Sequence, residues 1–369
     1  VAQNSKNTRS TGEVTIAEVA AMAGVSIKTV SRVLNREPNV RQATQERVRE
    51  AVKKLDYLPN LSARGLAGRR SYMVGLVYHN PSPNYLFHVL SGLLEACEEA
   101  HYGLAMHLGA PDQPDLVRRV KDFARQSRLD GMILMPPVGD VSVLLDALEE
   151  LDLPFVRLAP LDGRPGLGVS IDDRRAASQV VEHLLALGHR RIGFVAGDPT
   201  HGASRARHDG YRQALERAGI APEPELMAQG YFTFESGIAA GTYFCGMAQP
   251  PTAVFASNDE MAAGVLQVAH ENGLDVPADL SIVGFDDTPV SRAVWPAMTT
   301  VHQPIFHMTK RATEMLFEAI GDSSGNGESD GVPRPQLQIF DAPLIKRHTT
   351  APPRQGTPAG KTAGRRAHR

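Results

Sequence analysis

From Tyr72 onward, short apolar runs alternate with stretches of helical periodicity, and this alternation constrains the fold more than any other feature of the chain. YMVGLVY precedes an amphipathic stretch over 85–100. GLAMHL, a helical stretch over 116–127, GMILM, another over 141–150, and PFVRL follow. A second series opens with LGVSI near 167–171 and a helical stretch over 174–187. It continues through IGFVA, a helix over 204–218, TAVFA, a helix over 258–272, and LSIVGF. Such alternation predicts parallel strands joined by crossover helices. Two series separated near Gly168 predict two α/β lobes, and one closed barrel of alternating strands and helices is the other arrangement the pattern allows. Ligands of open sheets bind beyond the carboxyl ends of the strands, so the loops after the apolar runs are where binding residues are expected. A last helical pattern over 305–320 leads to GDSSGNGESDGVPRP, read as a flexible loop, and Gln336–Phe340 reads as a final strand.

The N-terminal part has a different texture. VAQNSKNTRSTGE, residues 1–13, is polar, lacks the apolar stretch of a signal peptide, and reads as a disordered arm. Thr15 with Glu18 three residues on forms a capping box ahead of Ile16, Val19, Ala20 and Ala23 at helical spacing. Gly24-Val25 breaks that helix, and Ser26 can cap a second one carrying Val30, Val33 and Leu34. A third, with Val48, Val52 and Leu55 on one face, ends before Pro59-Asn60. Helix, tight turn and helix within some twenty residues is helix-turn-helix spacing.

Charge follows the same division. The chain has 369 residues and a formal net charge of −2, but residues 1–70 carry 13 Lys/Arg against 6 Asp/Glu. The segment 346–369 carries 7 basic residues and no acidic ones, which leaves 71–345 at −16. An acidic body with a basic head is the pattern of a nucleic-acid module attached to something else. A tag-like tail with a chance imbalance is the plainer reading. No apolar run reaches the roughly 18 residues needed to span a bilayer. Cys97 and Cys245 offer neither a disulfide framework nor a Cys-x-x-Cys spacing, so the expectation is a cytoplasmic protein with no membrane partner. No phosphate loop, nucleophile elbow or HExxH occurs, and no catalytic residue, metal site or cofactor is expected. His183 and His189 read as structural helix-end residues, and Glu98-Glu99 and Glu149-Glu150 as solvated helix faces.

TIAEVAAMAGVSIKTVSRVLN (15–35) resembles the DNA-binding head of the lac/gal repressor family of bacterial transcription regulators, and LDYLPNLSARGLAGRRS (55–71) resembles the end of its third helix and its hinge. The likeness continues through HLLALGHRRIGFVAGDP, RARHDGYRQALERAGI, ASNDEMAAGVL and LSIVGFDDTPVSR, covering about 14–347. It implies an α + α/β fold: a three-helix helix-turn-helix head over 14–59, a hinge over 60–70, and a two-lobed effector domain over 71–347 that resembles periplasmic sugar-binding proteins. Residues 348–369 are expected to be a disordered basic tail. Those residues contain no Leu, Ile, Val or Phe, so a dimer rather than a leucine-helix tetramer is expected.

For DNA, the resemblance and the chemistry of the groove implicate Thr15, Ser26, Ile27, Lys28, Thr29, Ser31, Arg32, Asn35, Tyr57, Asn60, Ala63, Leu66 and Ala67. Lys28 or Arg32 can donate to guanine O6/N7, Ile27 offers only apolar contact, and Ser26 and Thr15 suit phosphates at helix starts. Leu66 matches the leucine that wedges into the minor groove at the operator centre. For an effector, Arg207, Asn258 and Asp286 match positions that hold ligand hydroxyls, Phe232 an aromatic wall, and Gln303 a crossover residue. Tyr85 and Asn84 are further contacts in a loop, HNPSPNYLF, that departs from the commoner pattern. Read without the resemblance, Asp286 is a loop carboxylate, Arg207 a surface cation and Phe232 a core residue. Two departures stand out: Arg41 replaces the usual Ser or Thr before the third helix, and Ala159 stands where many relatives have Asp. The expected protein binds a near-palindromic double-stranded operator as a homodimer and represses carbohydrate-utilisation genes under control of a sugar-like effector. The alternatives are a purine-type corepressor-dependent regulator and a sugar-binding protein without a regulatory role.

Overall fold

The computed structural model describes residues 14–34, 40–57, 70–322 and 336–354. The chain divides into two compact units, 1–72 and 73–369. In the first, helices α1 (Ile16–Ala23), α2 (Ile27–Leu34) and α3 (Gln42–Leu55) enclose a small core of Val19, Ala20, Ala23, Val30, Val33, Val48 and Ala51. The predicted capping box is formed: the Thr15 hydroxyl accepts from the Glu18 backbone N–H, and the Glu18 carboxylate accepts from the Thr15 N–H at 2.7 Å. Gly24 ends α1 at φ 63°, a conformation in which any other side chain is strained. Ser26 Oγ then accepts the Thr29 N–H at 3.2 Å. Arg41 makes no side-chain cap for α3, as expected of a side chain with no acceptor.

The second unit contains two parallel sheets. The first lobe carries six strands in the order β11-β5-β4-β3-β1-β2: β1 is Met73–Tyr78, β2 Gly103–Leu108, β3 Gly131–Leu134, β4 Phe155–Leu158, β5 Gly168–Ile171 and β11 Leu337–Phe340. The second lobe carries β7 (Met227–Gln229), β6 (Ile192–Ala196), β8 (Ala253–Ala256) and β9 (Ser281–Val283), in that order. Two open sheets exclude the single barrel. The strands β3, β5, β8 and β9 are buried along their whole length, as parallel strands covered on both faces must be.

The helices that matter for the site are α4 (Pro83–Ala100), α7 (Asp173–Ala186), α8 (Gly202–Arg217), α9 (Phe234–Cys245), α10 (Asp259–Glu271) and α12 (Ile305–Asp322); α5 and α6 are Leu116–Gln126 and Ser142–Glu149, and α11 is Val290–Ala293. The lobe boundary differs from the expectation. LGVSI does not open the second series: β5 pairs with β4 and β11 in the first sheet, and the chain changes lobe after Ile171. It changes lobe again between β10 (Thr300–Val301) and α12, which packs on α4, β3, β4 and β5 of the first lobe. A third crossing joins β11 to β12 (Leu344–Ile345), which pairs with β10.

The expectation of a disordered tail over 348–369 is corrected for 348–354, and 355–369 lie outside the described residues. Thr349 is fully buried; its Oγ donates to the Ile282 carbonyl at 2.6 Å and accepts from the Thr299 N–H at 2.9 Å. Ala351 N–H donates to Ser281 Oγ, and its carbonyl lies 2.9 Å from His189 Nε2. His183 Nε2 lies 3.1 Å from Thr350 Oγ1. Both histidines therefore clamp residues 350–351, the structural role expected of them. No described helix is long and apolar enough to cross a membrane.

Candidate functional site

The ends of the strands in both lobes, together with the crossovers, surround a cleft that is partly open to solvent. Asn80, Ser82, Tyr85, Pro136 and Ala159 line it from the first lobe. His201, Ala203, Arg207, Phe232, Asn258 and Asp286 line it from the second, and Asp173 and Gln303 sit at two of the crossings. All six effector residues expected from the sequence, including Tyr85, are thus brought to one cavity. Ala159 is there too, contributing a methyl group where a carboxylate would have been an acceptor.

Arg207, on the second turn of α8, is only 4% exposed, so it is no surface cation. Its Nε donates to Asp173 Oδ1 at 2.8 Å and its Nη1 to the Ser257 carbonyl at 2.5 Å. The guanidinium lies 3.6 Å from the centre of the Phe285 ring, a stacking that suits a planar cation. Its Nη2 stands 3.7 Å from Asp286 Oδ1, too far for a hydrogen bond. Asp286 is held at φ 103° by its N–H on the Val301 carbonyl and its own carbonyl on the Gln303 N–H. A non-glycine residue in that region stores strain of a kind that collects at functional sites. Burial pushes its carboxyl up to about 7; Arg207 pulls the other way, and the nearby Glu260 and Asp173 add to the rise.

Asn258 serves two ends. Its Oδ1 accepts the Met261 N–H and so caps α10, while its Nδ2 donates to the Phe232 carbonyl and to Glu260 Oε2. Both donors are taken, leaving a lone pair on Oδ1 as its remaining capacity. Phe232 satisfies both readings: it packs in the second lobe's core and it walls the cleft. Gly197 makes its seat, because a Cβ there would lie 2.1 Å from the ring. Asn84 turns away from the cavity lining and donates to Glu260 Oε1 at 3.0 Å, beside Ser82 Oγ at 2.6 Å, so that Glu260 joins the two lobes.

Three side chains went unread in the sequence. Asp173 neutralises Arg207, Glu260 ties the lobes, and His201, the residue before α8, lines the cleft. Nothing local marks them; each acquires its role from a partner tens of residues away. Three buried side-chain atoms of the cavity lining have no partner within the protein: His201 Nε2, Asp286 Oδ1 and Gln303 Oε1. Buried polar atoms are normally paired, so these three have hydrogen-bonding capacity left over. Burial pushes the Tyr85 phenol up and the His201 imidazole down to about 4, which keeps both neutral near pH 7. No group of three or more described His, Cys, Asp or Glu side chains is placed to hold a metal ion.

In the head, Ile27 is 51% exposed at the first turn of α2, and Ser26 and Lys28 beside it are also exposed. Thr29, Ser31 and Arg32 are half-buried. Thr15 is exposed, but its hydroxyl and N–H are both engaged with Glu18. Tyr57 packs at the edge of the head's core. Asn35, Asn60, Ala63, Leu66 and Ala67 lie outside the described residues.

A helix-turn-helix unit preceding a two-lobed cleft defines a class, that of DNA-binding transcription regulators, and comparison with known proteins agrees. The family model for bacterial regulatory proteins of the lacI family matches residues 15–60, and that for a periplasmic binding protein-like domain matches 181–350. Catabolite control protein A of Priestia megaterium is 33% identical over 308 residues, 82% of this chain and 91% of its own. The structure of a transcriptional regulator CelR–cellobiose complex, 30% identical, aligns over 91% of this chain and 99% of its own with a TM-score of 0.68. That of a lac repressor dimer bound to operator and the anti-inducer ONPF, 27% identical, aligns over 92% and 100% with a TM-score of 0.74. The chain belongs to the lacI family of bacterial regulatory proteins. It is a transcription regulator and not an enzyme.

Proposed function

We propose that this regulator represses carbohydrate-utilisation genes by binding a near-palindromic operator as a homodimer, and that a small sugar-like molecule held between its lobes relieves the repression. The observation that carries the effector half is the cleft itself: three buried polar atoms without partners, beside an aromatic wall, at the junction of two lobes. Sugar hydroxyls supply donors, and the apolar face of a sugar ring suits Phe232. Ile27 carries the DNA half. A large apolar side chain exposed next to Lys28 at the start of α2 gains nothing from water, but in the major groove it can meet a thymine methyl while Lys28 reaches a guanine edge.

Dimerisation is supported by the first lobe. Phe87 and Leu94 are 63% and 51% exposed on α4, and Leu108 is 56% exposed on β2, an edge strand of its sheet. Two identical heads then match the two-fold symmetry of an operator. The lac repressor structure aligned above is a dimer bound to operator. The test is sedimentation of the full chain with a two-fold symmetric promoter fragment. A complex of two chains per duplex is expected, and one chain per duplex overturns the dimeric reading.

A further inference from the structure

We propose that Glu260 is a positioning residue for the effector response: its carboxylate clasps the two lobes together in the operator-binding state, and an effector relieves repression by loosening that clasp. This rests on the effector reading above and names the residue through which it acts. Glu260 is 7% exposed and lies on the first turn of α10, in the second lobe. Its Oε1 accepts from Ser82 Oγ at 2.6 Å and from Asn84 Nδ2 at 3.0 Å, both of the first lobe. Its Oε2 accepts from Asn258 Nδ2 at 2.8 Å. Two of these donors are helix caps. Ser82 caps α4 by accepting the Tyr85 N–H at 3.2 Å, and Asn258 caps α10 by accepting the Met261 N–H at 3.0 Å. One carboxylate thus sits at the positive ends of two helices, one from each lobe, an arrangement that favours an anion. Ser82 and Asn258 are buried, so water competes little for these bonds.

The clasp and the cleft share Asn258. This side chain lines the cleft, and its two amide hydrogens are both spent, one on the Phe232 carbonyl at 3.0 Å and one on Glu260. Phe232 is packed in the second lobe's core, so the hydrogen given to Glu260 is the one that an effector hydroxyl can draw away. That bond pins Oε2 and presents Oε1 to the first lobe. Once it is gone, the Glu260 side chain is free to leave Ser82 and Asn84. Effector binding and the clasp are then antagonists, and linkage makes the antagonism mutual: whatever weakens the clasp must tighten effector binding. The helix α4 carries the change onward, because the same helix that Ser82 caps bears Phe87 and Leu94 of the dimer face proposed above.

The experiment uses the full-length protein, with glucose, galactose, xylose and cellobiose as probes and a labelled fragment of the promoter next to the protein's own gene. Thermal shift finds the neutral sugar that raises the melting midpoint, calorimetry gives its affinity, and anisotropy gives operator affinity with and without it. For Glu260→Ala, operator affinity without sugar should fall about tenfold, toward the sugar-saturated value of the wild type. The same variant should bind the sugar about threefold more tightly or better, since the sugar no longer competes with the clasp. Asn258 keeps its bonds to Met261 and Phe232 in that variant. Asn84→Ala, which removes one half-buried donor and unpairs no buried charge, should shift both affinities in the same directions by a smaller factor. It decides the question if Glu260→Ala shows no cooperative melting. Damage to the fold would weaken both kinds of binding, so the opposite signs identify the clasp. Sugar binding no tighter than wild type in the folded variants, or operator affinity unchanged in them, overturns the proposal and leaves the effector reading in place. If no probe binds the wild type, or the bound sugar leaves its operator affinity unchanged, the effector reading fails, and this inference with it.

Discussion

Asp286→Asn separates what the cleft costs the fold from what it does for the ligand. The carboxyl is 5% exposed and sits at about 7 instead of 3.8, with burial outweighing the pull of Arg207. The folded protein therefore binds this proton more tightly than the unfolded chain does. The penalty for holding the carboxylate ionised is absent below about pH 4, grows as pH rises toward 7, and reaches at most ~4 kcal/mol above it. Asn keeps the shape and removes the charge. The attraction to Arg207 at 3.7 Å is already contained in that shift, and the guanidinium keeps its shorter bond to Asp173. A net gain on the order of 1–2 kcal/mol at pH 8 follows, which for a domain of this size is a rise in Tm of a few degrees. At pH 4, where almost none of that penalty remains, the two proteins should melt within about two degrees of each other. In calorimetry with a bound neutral sugar, the variant should lose at least roughly tenfold in affinity at pH 8, since an ionised acceptor is worth more than an amide. For the wild type, sugar affinity should fall as pH drops below 7, where the carboxylate takes up its proton. A variant less stable than wild type at pH 8, or a Tm difference that does not change with pH, would refute the reasoning.

Other predictions concern the DNA side. Thr15→Ala removes the hydroxyl half of the capping box, at a cost of about 1 kcal/mol to α1; amides of 16–23 should exchange roughly fivefold faster, and unchanged protection would contradict the cap. Lys28→Ala should cost on the order of 1–3 kcal/mol on the preferred operator and relax preference at one base pair per half-site. Uniform weakening across a panel of single-base variants would make Lys28 a phosphate contact instead. Leu66→Ala should lower operator affinity and DNA bending while sugar affinity stays at its wild-type value, because the expected wedge touches only the minor groove; unaltered bending would exclude that role.

Local chemistry made the head legible. The Thr15–Glu18 box, the Gly24 break and the Ser26 cap each act within four residues, and all three are found where the sequence puts them. The buried strands were equally clear, because runs such as GMIL and AVFA have no other use in a folded chain. What escaped depends on distance. The helix Phe234–Cys245 was not foreseen: FESGIAAGTYFC carries small residues where it meets α10, and at Gly237 a Cβ would lie 2.2 Å from the Met261 carbonyl. Close backbone approach, not an apolar stripe, holds that helix. The lobe boundary was misplaced because β5 looks like any opening strand until β11 pairs with it, Leu337 opposite Gly168, after the chain has built the whole second lobe. In the cleft, Arg207, Asn258 and Asp286 were legible through the resemblance. The Asp173 partner of Arg207 and the bare nitrogen of His201 needed coordinates, since each is defined by a hydrogen bond and not by a motif.

The account's central claim is that a sugar-like molecule in the cleft controls how the head holds DNA. Fluorescence anisotropy of a labelled fragment from the promoter next to the protein's own gene tests it directly, titrated with full-length protein at moderate salt, with and without the neutral sugar that raises the melting midpoint. The account predicts binding at least roughly a thousandfold tighter than to a shuffled fragment, and at least tenfold weaker operator affinity when the sugar is saturating. Equal affinity for promoter and shuffled DNA, or an operator affinity that the bound sugar leaves unchanged, would contradict it.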